Sequence, residues 1–137
     1  MANPFAHIEL STDDLSQAKK FYKKVFAWKL NDMKGMHYTM IDVGKGLGGG
    51  MQTKQMPGPT SWLPYVEVDD VKKAIAKAKK AGAKIVLDYM PIGEMGAIGV
   101  FVDPGGASLG VWAAAKKAPK KAAKKSKAKK KSAAKKR

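Results

Sequence analysis

The sequence contains the same strand-then-helix pattern twice, and this repeat constrains the fold more than any other feature. Asp13-Asp14 recurs 56 residues later as Asp69-Asp70. Each pair separates a short segment of alternating apolar and polar residues from a segment with helical spacing. Repetition at this distance indicates two copies of one supersecondary unit that pack together.

Local patterns assign the elements of each copy. Alternation over 5–10 predicts the first strand, and Thr12 and Asp13 are the predicted caps of the first helix. In the second copy a helix begins near Val71, and Gly82 is a suitable residue to end it. The predicted apolar stripe of the first helix is Leu15, Ala18, Phe21, Tyr22 and Val25. The other predicted strands are 28–30, 38–43, 49–53, 63–68, 84–87, 97–103 and 108–112.

The element order is therefore βαβββ, twice. Neither half is long enough to bury a core alone, so the sequence predicts one α+β domain over residues 1–113, with modules at about 4–56 and 61–113. Residues 114–137 form a tail of Lys and Ala that cannot bury enough apolar area to fold, and we expect it to be disordered.

Charge is concentrated in this tail. Of the 27 basic residues, 13 lie in 114–137, which contains no acidic residue, whereas residues 1–113 carry 14 basic and 11 acidic residues. Lysines bind phosphate as point charges without reading base sequence, so we expect non-specific binding of DNA or RNA by the tail. A solubilising role, or attraction to anionic lipid or polyphosphate, is the alternative. The predicted contacts are Lys116, Lys117, Lys120, Lys121, Lys124, Lys125, Lys127, Lys129, Lys130, Lys131, Lys135, Lys136 and Arg137.

Several classes of site and location are excluded or disfavoured. The chain has no cysteine, which rules out disulfides, thiolate metal sites and a cysteine nucleophile. The N-terminal residues lack the pattern of a signal peptide, and no apolar run approaches the roughly 20 residues that span a bilayer. We therefore expect a cytoplasmic protein, associated with the nucleoid if the tail binds DNA.

Three segments carry a family resemblance. HIELSTDDLSQAKKFYKKVFAWKL in the first half, and YVEVDDVKKAIAKAKKAGAKI and FVDPGGASLGVW in the second, resemble the vicinal oxygen chelate superfamily. This group includes glyoxalase I, extradiol dioxygenases and bleomycin-resistance proteins. The resemblance implies paired βαβββ modules that form one curved mixed sheet with a cleft, and chains that can pair as homodimers. The tail resembles those of linker histones and histone-like bacterial proteins in composition.

The resemblance also implies where a metal would bind. Metal-dependent members use side chains from the first and fourth strands of each module, and only His7 matches one of these positions. Its counterpart in the second half is taken as Tyr65, while Gly110 and a position near Gly50 offer no side chain. We therefore expect no cofactor, and a divalent metal is disfavoured.

Strand alternation selects the candidate site residues. His7 and Glu9 share one face of the first strand, and Tyr65 and Glu67 share the corresponding face in the second half. His7, Glu9 and Glu67 are the candidate catalytic acid–base groups. The candidate ligand-binding residues are Tyr65, Trp62, Gln52, Phe101 and Trp112, whose aromatic rings could form a wall for a planar ligand; ordinary core packing is the alternative.

Three functions remain open at this stage. The first is a metal-free small-molecule-binding domain of the glyoxalase type, held on nucleic acid by its tail. The second is a lyase, isomerase or dioxygenase that depends on a metal or on acid–base catalysis. The third is a nucleic-acid-compacting protein in which the domain is a scaffold.

Overall fold

The computed structural model describes residues 2–35 and 37–115, so the predicted tail from 116 onwards lies outside the described residues. The elements follow the order predicted from the repeat, βαβββ twice, and they form one open, mixed sheet with two helices. This confirms the α+β class. The strands are β1 Phe5–Thr12, β2 Lys29–Met33, β3 Tyr38–Asp42, β4 Gly49–Thr53, β5 Ser61–Glu67, β6 Lys84–Ile92, β7 Gly96–Val102 and β8 Ser108–Ala114; the helices are α1 Leu15–Val25 and α2 Val71–Lys80.

The sheet has internal symmetry. Its strand order is β2-β3-β4-β1-β5-β8-β7-β6, so each half contributes four adjacent strands and the two halves meet at β1 and β5. These central strands pair antiparallel, whereas β1 with β4 and β5 with β8 are parallel pairs. The two halves are thus related by a rotation about the β1–β5 contact.

The N-terminal caps of the helices are the second aspartates of the two repeated pairs. The Asp14 carboxylate accepts from the Gln17 backbone N–H at 2.9 Å, and Asp70 accepts from Lys73 at 3.1 Å. The prediction of Thr12 and Asp13 as caps was wrong, because only a residue directly before the first helical position can reach the free N–H groups of the first turn.

The C-terminus of α2 is closed by a glycine turn. Gly82 has a φ of +106°, its N–H donates to the Lys79 carbonyl, and the Ala83 N–H donates to the Ala78 carbonyl at 2.9 Å. This pair of bonds satisfies carbonyls that a helix end leaves free, and it needs a residue that tolerates a left-handed backbone. The predicted role of Gly82 at the end of the helix is confirmed.

Both helices cover the same face of the sheet, but unequally. Under α2, Val71 and Ile75 are buried against β7 and β8. Under α1, the buried residues Leu10, Ile41 and Met51 come from the sheet, and α1 itself buries none. Phe21 and Val25, expected in the apolar stripe, are 56% and 51% exposed. The stripe prediction was too wide, because Phe21 lies about a quarter turn from Tyr22 on the helix.

No helix among the described residues is long and apolar enough to cross a membrane.

The repeated cap gives a test of this fold. We expect Asp70→Ala to lower the free energy of unfolding by about 1 kcal/mol, because it leaves an N–H of the first turn without its acceptor. Denaturant unfolding followed by circular dichroism measures the effect. Asp69→Ala is the matched control, since the neighbouring carboxylate does not cap the helix. An equal loss in both variants would contradict the assignment of Asp70 as the cap.

Candidate functional site

The face of the sheet opposite the helices, called here the helix-free face, carries the polar candidates. Leu10 and its register partner Trp62 point to the helix side, so the alternate residues on β1 and β5 point away from it. His7 and Glu9 therefore share the helix-free face with Tyr65, as strand alternation predicted.

A hydrogen-bonded group on this face, called here the carboxylate cluster, consists of His7, Glu9, Tyr38, Gln52 and Tyr65. The Gln52 amide donates to Glu9 Oε1 at 3.1 Å, and the Tyr65 hydroxyl donates to the same oxygen at 3.2 Å. The Tyr38 hydroxyl lies 2.7 Å from His7 Nε2. Strands β3, β4 and β5 thus each direct a polar side chain towards the carboxylate that β1 carries.

Sequence reasoning missed Tyr38. It lies on β3, where its register partner on β4 is Gln52, so the two side chains project from the same face. The pairing of β3 with β4 is what places Tyr38 in the cluster. The β3 sequence alone shows only that Tyr38 and the buried Thr39 point to opposite faces. A hairpin register through the turn after Asp42 could have found it.

Two glycines make room for the two tyrosines. A side chain at Gly50 would overlap the Tyr38 hydroxyl and ring, and one at Gly110 would overlap the Tyr65 ring. These are the fourth-strand positions at which the family resemblance implies metal ligands. In this chain tyrosine side chains fill the space that such ligands would need.

The register corrects the internal equivalence of the site. Glu9 pairs with Gly50 on β4, and Tyr65 pairs with Gly110 on β8. Glu9 is therefore the counterpart of Tyr65, at the same spacing of 56 residues that relates the two caps, and the counterpart of His7 is Leu63. The pairing of His7 with Tyr65 as equivalent positions was wrong, although the two are register neighbours across β1 and β5.

Burial perturbs the titration of the whole cluster. It raises the pKa of Glu9, and hydrogen bonds from Tyr38 and Tyr65 oppose this rise only in part. Burial lowers the pKa of His7. Burial, together with the nearby Glu9 charge, raises the pKa of both Tyr38 and Tyr65 above the usual range. The two hydroxyls thus stay protonated and can act as hydrogen-bond donors at neutral pH.

The described residues bring few potential ligands for a divalent metal together. Among residues 2–35 and 37–115, no three His, Asp or Glu side chains converge. The carboxylate cluster itself supplies one imidazole, from His7, and one carboxylate, from Glu9, which is fewer than the three protein ligands of a typical metal site.

The remaining candidates lie apart from the cluster. Trp62 is on the helix side, where its ring contacts Tyr22 and Trp28, and Phe101 packs against the core under α2. Glu67 lies two residues after Tyr65 on β5, and Trp112 on β8 is its register partner. Among the described residues, no side-chain hydrogen bond joins Glu67 to Glu9. The structure therefore does not assemble the four-ring aromatic wall, because Trp62 and Phe101 belong to the opposite face. The basic residues proposed to bind nucleic acid, 116–137, lie outside the described residues.

Comparison with known families identifies the superfamily of this chain. The family model described as the Glyoxalase/Bleomycin resistance protein/Dioxygenase superfamily covers residues 5–111. The chain belongs to this superfamily.

Curated relatives are longer than this superfamily member. It is 32% identical over 116 residues to the "Putative glyoxylase CFP32" of Mycobacterium tuberculosis, covering 78% of this chain and 44% of the relative. It is 25% identical over 125 residues to the "Anthracycline biosynthesis protein DnrV" of Streptomyces peucetius, covering 78% and 46%. The chain thus spans less than half the length of these relatives.

Solved structures share the fold at low sequence identity. A hypothetical protein from Bacillus halodurans aligns with a TM-score of 0.61 at 13% identity, covering 86% of this chain and 99% of that one. The methylmalonyl-CoA epimerase of Mycobacterium tuberculosis aligns with a TM-score of 0.58 at 13% identity, covering 82% and 89%. These likenesses establish the fold and not the reaction.

The raised pKa of Glu9 predicts a pH-dependent cost to stability. A carboxyl that holds its proton more tightly when folded stabilises the protein below its usual pKa of 4.5, and this contribution is lost as pH rises through the folded pKa. We expect Glu9→Gln to gain stability relative to the parent chain as pH rises from about 4.5 towards 8. Thermal unfolding at a series of pH values measures this, and His7 is present in both proteins.

Glu94→Gln is the matched control, because Glu94 is exposed in the turn between β6 and β7. A constant stability difference between Glu9→Gln and the parent across this pH range would contradict the burial of the Glu9 charge.

Proposed function

We propose that the helix-free face binds a small organic molecule without a metal ion, through the carboxylate cluster. The observation that carries this proposal is the replacement of the family's fourth-strand ligand positions by Gly50 and Gly110, with Tyr38 and Tyr65 packed into the space. A site built in this way offers hydrogen bonds to a ligand instead of coordination bonds to an ion.

The chemistry of the cluster indicates the kind of ligand. Glu9 provides an acceptor, while the hydroxyls of Tyr38 and Tyr65 and the Gln52 amide provide donors. His7, Glu9, Tyr38 and Gln52 keep partial contact with water, so a ligand can reach them. A phenol or hydroxyquinone, which combines a hydroxyl donor with a carbonyl or hydroxyl acceptor on a flat ring, complements this arrangement. The name of the Streptomyces relative, an anthracycline biosynthesis protein, agrees with an organic ligand.

Acid–base catalysis is the second candidate, favoured by the opposite pKa shifts of Glu9 and His7. A raised carboxyl pKa and a lowered imidazole pKa bring the proton affinities of the two groups closer together, which favours proton transfer between them. Tyr38 lies between them, since it contacts the His7 ring and interacts with the Glu9 carboxylate. A lyase or isomerase that moves a proton within a bound molecule would use Glu9 as the proton acceptor, with the tyrosine hydroxyls as donors to the developing negative charge.

Binding without metal is the direct test. We expect at least one compound from a panel of phenols and hydroxyquinones to bind the full chain in the presence of EDTA, measured by isothermal calorimetry. Tyr38→Phe, which removes a hydroxyl that keeps partial contact with water, should weaken that binding about tenfold, which corresponds to roughly 1.4 kcal/mol for one hydrogen bond. Tyr89→Phe is the matched control, because Tyr89 lies on β6 beside Lys72.

The same experiment separates the candidates. Binding that appears only when nickel, zinc, manganese or iron(II) is added would contradict the metal-free site. Exchange of a carbon-bound proton of the bound compound with D2O, present in the parent chain and absent in Glu9→Gln, would favour the acid–base candidate over simple binding.

We further propose that the basic tail holds this domain on nucleic acid. Thirteen cations and no acid in residues 114–137 support attraction to a polyphosphate, and the absence of aromatic residues argues against base stacking. The charge balance of residues 1–113, with 14 basic and 11 acidic residues, gives the domain much less attraction of its own.

Salt dependence tests the tail. We expect the full chain to bind duplex DNA of unrelated sequences with similar affinity, and the affinity to fall by at least about a hundredfold between 50 and 200 mM salt as counterions are released. A chain that ends at Ala115 should lose this binding. Equal DNA affinity of the shortened and full chains would overturn the assignment, and compaction of DNA unaffected by Tyr65→Phe would favour a scaffold role for the domain.

A further inference from the structure

A recess on the helix side of the sheet, called here the Trp groove, is unrelated to the carboxylate cluster. It has a volume of about 230 Å³. Gly48 and Gly49 form part of its wall, and its side chains are all apolar: Ile8, Trp28, Ile41, Val43, Leu47 and Trp62. It therefore suits a ligand that has little need for hydrogen bonds.

The internal repeat shows why the recess exists. In the first half Ile41 pairs with Gly49, next to the Glu9–Gly50 pair. In the second half the equivalent pair, next to Gly110, is Phe101 with Leu109. Equivalent positions thus carry two large side chains in one half, and an isoleucine and a glycine in the other. The Trp groove lies where the second half places apolar side-chain volume.

Glycine at this place is required by the backbone. A side chain at Gly49 would overlap the carbonyl of Ile8, because β1 and β4 approach closely in their parallel pairing. The recess therefore follows from the backbone of the first half, because β4 cannot place a side chain in it at position 49.

Two walls of the groove are indole rings, and the polar atom of Trp62 already has a partner. The rings of Trp28 and Trp62 lie edge to face, with centroids 6.3 Å apart. The Trp62 indole N–H donates to the Tyr22 hydroxyl at 3.3 Å, which leaves the ring surfaces as the available contact. Trp62, Ile8 and Leu47 remain 37%, 36% and 40% exposed, so an apolar occupant would remove further apolar area from water.

Charge and composition narrow the choice of occupant. The C-terminal segment 116–137 has no apolar residue larger than alanine, so it cannot supply a side chain of the missing size. A second copy of this chain would bring together two molecules that each carry a net charge of +16, which opposes close association at low salt. A small neutral molecule has neither difficulty.

We propose that the Trp groove binds a small uncharged aromatic or branched aliphatic molecule, whose ring or alkyl group takes the place that Leu109 and Phe101 occupy in the second half. This is a second ligand site, on the opposite face of the sheet from the carboxylate cluster. It uses the alternate residues of the same strands: Ile8 faces the groove between His7 and Glu9, and Gly49 precedes Gly50.

Titration with N-phenyl-1-naphthylamine tests the proposal, because this fluorophore is neutral and brightens in apolar surroundings. We expect saturable binding of one molecule per full chain. Ile41→Phe introduces the residue that the second half has at the equivalent position, Phe101, and fills the groove. Val43→Phe fills the groove from the adjoining wall. Each should weaken the binding at least about tenfold, whereas Val86→Phe, which adds the same ring at an exposed position on β6, should leave it unchanged.

Each other outcome overturns the proposal. Equal affinity in a folded groove-filling variant would place the fluorophore elsewhere, and Val43→Phe carries the test if the more buried Ile41→Phe does not fold. Absence of saturable binding by a monomeric parent chain would show that the groove takes no such ligand. A parent chain that sediments as a dimer, and binds the fluorophore only after dissociation, would show that a second copy covers the groove.

Discussion

The antiparallel pairing of β1 with β5 is the contact on which the rest of the structure depends. It joins the two halves into one sheet, and it sets Glu9 and Tyr65, which come from different halves, within hydrogen-bond distance. A shift of one residue in this register would turn the polar residues of one half towards the helices and bury them without partners. The alternation of β1 therefore specifies both the assembly of the domain and the composition of its site.

Glycine and tyrosine act together on the helix-free face. An unpaired carboxylate is costly to remove from water, and the donors around Glu9 lessen this cost only in part, which is why its pKa rises. The Tyr38 and Tyr65 rings can lie over β4 and β8 only because Gly50 and Gly110 leave the space open. The same substitutions that remove side-chain ligands from the fourth strands thus permit a hydrogen-bonding site there. Stability given up by burying a charged group is typical of sites that bind or transform ligands.

Much of this arrangement could be predicted because the strand-then-helix pattern occurs twice in the sequence. The repeated Asp-Asp pairs located both helices, and alternation placed His7, Glu9 and Tyr65 on a common face. The errors have identifiable causes. Tyr38 joins the cluster through the β3–β4 register, which depends on a turn and not on local composition. Trp62 is three residues from Tyr65, so alternation alone puts it on the other face, and treating the aromatic residues as one group overrode that rule. The equivalence of Glu9 with Tyr65 follows from the 56-residue spacing of the repeat, which was not applied to the site, and the pairing with Gly50 and Gly110 establishes it.

The two halves pack their helices on the sheet in two different ways. In the second half, Val71 and Ile75 of α2 are buried, Phe101 packs against the same core, and the rest of the helix consists of lysines and alanines. In the first half α1 buries no residue, and aromatic rings around Tyr22 take over the contact with the sheet. The second half packs its helix on the sheet through aliphatic residues, so the aromatic rings of the first half are a second solution to the same packing requirement. This solution leaves the Trp62 ring partly exposed beside Gly49, and the Trp groove follows from that difference between the halves.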